Sequence, residues 1–79
     1  MEPQWEYVQA LITDNQYHRV YRDDKLGVQM EVTTKRRNGF PVGKTRRRLF
    51  YIDGDKKEYR SEEALIAAIR AMQSEENSA

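Results

Sequence analysis

From Leu26 to Thr33 the chain alternates without a break. Leu26, Val28, Met30 and Val32 are apolar, and Gly27, Gln29, Glu31 and Thr33 between them are small or polar. A strand points successive side chains to opposite faces, so the pattern predicts a sheet with one covered and one solvated face. The rest of the chain has to supply that cover. The strand reads on through Thr34 into Lys35–Arg48, which holds seven of the fourteen Lys and Arg residues and no acid. This stretch carries +7 and the remainder −6, so the net charge of +1 conceals a basic pole on an acidic body. Asn38 to Gly43 are turn-rich and both flanks read as strands, which predicts a projecting β-hairpin with Phe40 at its tip. Lys35, Arg36 and Arg37 would then face Arg46, Arg47 and Arg48, a like-charge juxtaposition that a polyanion would relieve.

The cover comes from the C-terminal part. Ser61 is a good N-cap, Glu62 and Glu63 follow in the first turn, and Leu65, Ile69 and Met72 recur at helical spacing. A helix over 61–73 is expected to lay these three on Leu26, Val28, Met30 and Val32, with residues 74–79 as a frayed polar tail. Asp53-Gly54 predicts a tight turn, and Lys57 to Arg60 a short returning strand. Earlier in the chain, Tyr17, Arg19 and Tyr21 fall on one face of a strand with His18 and Val20 on the other, and Asp23-Asp24-Lys25 forms a turn. Residues 2–13 admit two readings. As a helix, Pro3 suits the first turn and Trp5, Val8, Leu11 and Ile12 share a side. As a strand, Trp5 and Tyr7 face away from Val8, Ala10 and Ile12. The helix is the expectation. The fold class is therefore α+β: an antiparallel sheet of three to four strands, a C-terminal helix on one face, and a short N-terminal helix.

Seventy-nine residues make a single domain spanning 1–79, close to the lower limit for folding on a hydrophobic core alone. There is no cysteine, hence no disulfide and no thiolate metal site, and no apolar run approaches a membrane span or a signal peptide. A cytoplasmic location with no membrane partner is the expectation. Homodimerisation would be one way for so small a core to gain area.

Several candidate sites fail on their chemistry. Gly39 to Thr45 imitates a phosphate-binding loop, but only three residues separate the two glycines and a strand follows instead of a helix. His18 has no second histidine or cysteine to complete a metal or catalytic set. Asp53, Asp55 and Glu58 suit turn chemistry and are too few for a calcium loop. No nucleophile–base pair exists that does not depend on His18. No enzyme, cofactor or metal is expected.

The basic hairpin is what remains. Lys35, Arg36, Arg37, Lys44, Arg46, Arg47 and Arg48 can neutralise phosphates, and Phe40 can stack on a base or wedge between base steps. Tyr17, Arg19 and Tyr21 form an adjoining aromatic–basic face. In element order alone, the chain resembles integrase-arm and plant AP2-type domains, which implies DNA reading by the sheet. Helix–three strands–helix is similar to the double-stranded-RNA-binding domain, but Ser61-Glu62-Glu63 stand where that family is basic. The expected function is a nucleic-acid-binding module, of the regulatory or recombinational kind found in mobile elements, with duplex DNA as first partner. The alternative is a small protein-binding inhibitor or adaptor whose hairpin docks on an acidic protein surface of a larger assembly.

Overall fold

A computed structural model describes residues 2–77, and their side chains except at 41, 43–45 and 75–77. Five strands are followed by one helix: β1 (Glu6–Ile12), β2 (Gln16–Asp23), β3 (Val28–Arg37), β4 (Phe40–Ile52), β5 (Glu58–Tyr59) and α1 (Glu62–Asn77). They form one antiparallel meander in the order β1-β2-β3-β4-β5. The α+β class and the C-terminal helix are as expected. The strand number is five instead of three to four, because the N-terminal segment is a strand.

That segment corrects the helical reading of residues 2–13. The Asp14-Asn15 turn is closed by Thr13, whose amide donates to the Gln16 carbonyl at 2.9 Å and whose Oγ1 accepts from the Gln16 amide at 3.0 Å. β1 is thereby folded onto an otherwise unpaired edge of β2, with Tyr7 edge-on to Tyr21 at 6.0 Å. A helix this short is marginal unless its apolar face packs on something, whereas pairing with β2 brings Tyr7 onto Tyr21 and Trp5 beside Phe50. The outer edge of β1 stays open, and Tyr7, Val8, Leu11 and Ile12 are all exposed.

The central hairpin is tighter than its composition suggests. Its turn is Asn38-Gly39 alone, both with positive φ (52° and 83°), the geometry that matches the twist of paired strands. Phe40 is consequently the first residue of β4 and not part of a loop, though it does project, at 74% exposure. The expected facing of the two arginine runs is also corrected. A register shift between Thr34 and Arg36 sets Arg46, Arg47 and Arg48 opposite Thr34, Thr33 and Val32, while Arg36 and Arg37 pair with Pro41 and Phe40. The stagger removes the like-charge pairing.

Ser61 caps α1 by accepting from the Ala64 amide at 3.1 Å. The helix then lays Leu65 and Ile69 on Val28, Phe50, Ile52 and Tyr59, with Trp5, Leu26, Met30 and Ala68 around them. Three placements are corrected here. Met72 is 41% exposed and stands outside the buried cluster that Leu65 and Ile69 form with the sheet. Leu26 belongs to the β2–β3 turn, where the Asp23 carboxylate accepts from the Lys25 and Leu26 amides. The helix persists through Asn77, so residues 74–77 are not a frayed tail, and residues 78–79 lie outside the described ones. Among the described residues no helix is long and apolar enough to cross a membrane.

Candidate nucleic-acid interface

Strand pairing sorts the predicted site residues by face, because partners on neighbouring strands point the same way. On the helix side the rungs are Asp23–Val28–Ile52, then Tyr7–Tyr21–Met30–Phe50–Tyr59, then Ala10–Arg19–Val32–Arg48, then Ile12–Tyr17–Thr34–Arg46. The helix covers the first two rungs and leaves the last two open. Arg19 and Arg48 thus flank Val32, and Tyr17 and Arg46 flank Thr34. Val32 is nonetheless buried, as expected where long arginine stems lie over an apolar neighbour. Tyr17, Arg19, Tyr21, Arg46 and Arg48 are therefore gathered onto one surface.

Arg19 is fixed within it. Its guanidinium lies 5.2 Å from the Tyr17 ring centre and 5.9 Å from that of Tyr21, and its Nη1 donates to the Tyr21 hydroxyl at 3.2 Å. Among the described residues its Nε, like that of Arg36, is buried without a hydrogen-bond partner. Two cation–π contacts hold a planar donor group in place with most of its hydrogen-bonding capacity unspent.

Arg47 and Lys35 fall on the opposite face, which has a different character. There a chain of hydrogen bonds runs across the strands. Arg22 binds Asp53 at 2.6 Å, Asp24 at 3.0 Å and the Gln29 side-chain oxygen at 3.0 Å. Gln29 donates to Glu31 at 2.9 Å, and Glu31 contacts His18 Nε2 at 3.1 Å, leaving Nδ1 to pair with the Thr33 hydroxyl at 2.9 Å. His18 is thus a member of a polar ladder. The hydrogen bonds from Arg22 hold the Asp53 carboxyl below its ordinary pKa, and the two carboxylates raise that of Arg22. Burial, and then the nearby Glu31 and Glu58 charges, push the Tyr51 phenol up.

The two faces differ in how their cations are paired. Arg22 is neutralised by two acids. Among the described residues, no ion pair involves Lys35, Arg36, Arg37, Arg46, Arg47 or Arg48. Lys35, Arg37, Arg46, Arg47 and Arg48 are exposed, whereas Arg36 folds back so that its Nη2 donates to the Gly39 carbonyl. The side chain of Lys44 lies outside the described residues. Among the described residues no cluster of His, Asp or Glu could hold a metal.

Two participants escaped the sequence reading. Trp5, taken as part of a helix, lies 5.9 Å from Phe50 and donates its indole N–H to Glu62 at 3.0 Å, beside the Arg19–Arg48 rung. Arg60 joins Arg46, Arg47 and Arg48 around a shallow hollow beside β4. The two-residue period could have shown one thing more. Arg46 and Arg48 share parity with Phe50 and Ile52, so a core at Phe50 and Ile52 puts these two arginines on the helix side. No known protein family, curated protein or solved structure matches the chain.

Proposed function

We propose that the protein is a nucleic-acid-binding module whose contact surface is the basic hairpin together with the adjoining open half of the helix-side sheet face. The observation that carries this reading is the crowding of exposed Lys35, Arg37, Arg46, Arg47 and Arg48 onto one acid-free hairpin, with no ion pair to any of them among the described residues. Exposed guanidinium groups along a narrow ribbon suit phosphates, whose neutralisation releases counterions. A two-stranded ribbon also fits the major groove of duplex DNA, and Phe40 projects where it could stack or wedge. Replacing Arg46, Arg47 and Arg48 together by Gln tests the reading. The melting temperature should hold, since exposed charges contribute little to stability. Affinity for DNA should fall, and the slope of log K against log salt should flatten by roughly 2–3, for about three phosphates no longer neutralised. Negligible binding of the unchanged protein to duplex and single strands at low salt would refute it.

A second reading has its own support. β5 pairs only with Phe50 and Tyr51, so the β4 backbone over Arg46–Leu49 is open on that edge, beside Arg60. An acidic extended segment of a partner protein could add a strand there. Binding of an acidic peptide by the unchanged protein, lost when Arg46, Arg47 and Arg48 become Gln, with no nucleic-acid binding at all, would favour it.

A further inference from the structure

Between the helix and the open rungs lies a cleft of about 210 Å³, floored by Met30 and Val32. By strand order, Arg19 and Tyr21 of β2 stand on one side of that floor and Arg46 and Arg48 of β4 on the other. The volume is below the roughly 300–1,000 Å³ of sites that enclose a whole small molecule. It suits one unit of a chain that continues outside. The cleft is divided lengthwise. Trp5 and the Tyr21–Phe50 rung line the aromatic end, Arg48 stands one rung or about 7 Å further along β4, and the Arg19 guanidinium reaches back over the Tyr21 ring to join the two.

We infer that this cleft binds one unpaired nucleotide of a single-stranded nucleic acid. Its base lies against Trp5 and Tyr21, and its phosphate lies on the guanidinium groups of Arg19, Arg46 and Arg48. The inference rests on the nucleic-acid reading above and narrows it. Three features carry it beyond general electrostatics. Arg19 is held by Tyr17 and Tyr21, and among the described residues only its Nη1 donates to a protein group, so its other terminal nitrogen is left for an incoming phosphate. Aromatic and cationic side chains line one recess together, as a base and its own phosphate require, and paired bases inside a duplex cannot reach it. The one acid in the cleft, Glu62, is engaged by the Trp5 indole at the aromatic end, so the repulsive charge stands away from the phosphate socket.

Trp5 is the sole tryptophan in the chain, so its emission reports on the cleft alone. Short labelled oligo(dT), oligo(U) and a blunt DNA duplex would each be titrated at low salt. Anisotropy of the label follows binding, and Trp5 emission follows occupancy of the cleft. The expected result is saturable quenching by single strands and binding of the duplex without quenching. The oligo(dT) and oligo(U) arms show whether deoxyribose, ribose or both are accepted. Arg19→Gln should weaken single-strand binding roughly tenfold or more, the effect of losing a charge-assisted hydrogen bond. Single strands that bind without moving Trp5 emission, quenching by duplex as strong as by single strands, or unchanged affinity in a folded R19Q would each overturn the cleft while leaving the module a nucleic-acid binder. No anisotropy change with any of the three would remove both readings. Should R19Q not fold, the Trp5 measurement on the unchanged protein decides alone.

Discussion

Leu65→Ala is the sharpest probe of how this small domain holds together. Leu65 is completely buried, and with Ile69 it makes up the buried apolar contact of the helix with the sheet. The side chains around it are Val28 and Phe50, 0% and 2% exposed, both anchored in central strands that cannot move inward without breaking their ladders. The hole left by three lost carbons would therefore persist. That places the cost within the roughly 2.7–5 kcal/mol found for buried leucines. A domain of this length has about 4–12 kcal/mol in all, and small cores sit at the lower end. At roughly 4–8 °C per kcal/mol, the melting temperature should fall by about 10–40 °C. A thermal melt followed by circular dichroism, with a urea titration beside it, would read the change. Met72→Ala is the matched control. Met72 is 41% exposed, so its truncation should cost no more than about 0.5 kcal/mol, a few degrees. If Leu65→Ala melts within about 3 °C of the parent, or Met72→Ala is equally damaging, the helix does not dock as described.

Three further outcomes are expected. Phe40→Ala should leave the melting temperature unchanged, because a residue 74% exposed contributes no core area; a drop of many degrees would return Phe40 to the core. Gly27→Ala should cost about 1–2 kcal/mol and several degrees, since Gly27 has φ +68° and the added Cβ meets Asp53 only at an ordinary 3.6 Å, so backbone strain alone is at work; an unaltered melt would contradict that conformation. On acidification stability should hold down to about pH 4 and fall below it. The Asp53 carboxyl, hydrogen-bonded by Arg22, and the Asp23 carboxyl, hydrogen-bonded by the Gln4 and Leu26 amides, both have folded pKa values below their unfolded 3.8. Their contribution is complete above the unfolded value and lost as pH drops through the folded one. Asp53→Asn should shrink that fall, and a melting temperature constant to pH 2 would refute it.

The sheet and its helix were legible wherever one period dominated. The alternation at Val28 to Val32 and the capped stripe from Ser61 to Ile69 each admit a single reading. Residues 6–12 did not, because Trp5, Val8, Leu11 and Ile12 satisfy helical spacing while Tyr7, Val8 and Ile12 suit a strand equally. Only the edge of β2, invisible from within the segment, breaks the tie. The hairpin arms were recognisable from charge, but their facing was not. Register depends on whether Asn38-Gly39 or the longer run to Gly43 makes the turn, and the shift near Thr34 has no sequence signature. Arg19, Tyr17 and Tyr21 were read correctly as one face. That they share it with Arg46 and Arg48 required knowing the pairing partner. Trp5 was out of reach for the same reason, since its hydrogen bond to Glu62 spans 57 residues.

Every strand in the meander pairs with its neighbour in sequence, so no long loop has to close before the first contacts are rewarded. Chains with such local pairing fold faster than those whose strands must find distant partners. The hairpins joined at Asp14-Asn15, at the turn after Asp23 and at Asn38-Gly39 can each start to zip from their own turn. The tie between Trp5 and Glu62 can form only after both ends of the sheet exist. Assembly therefore runs outward from local turns, and the wall of the cleft is among the last parts to be set in place.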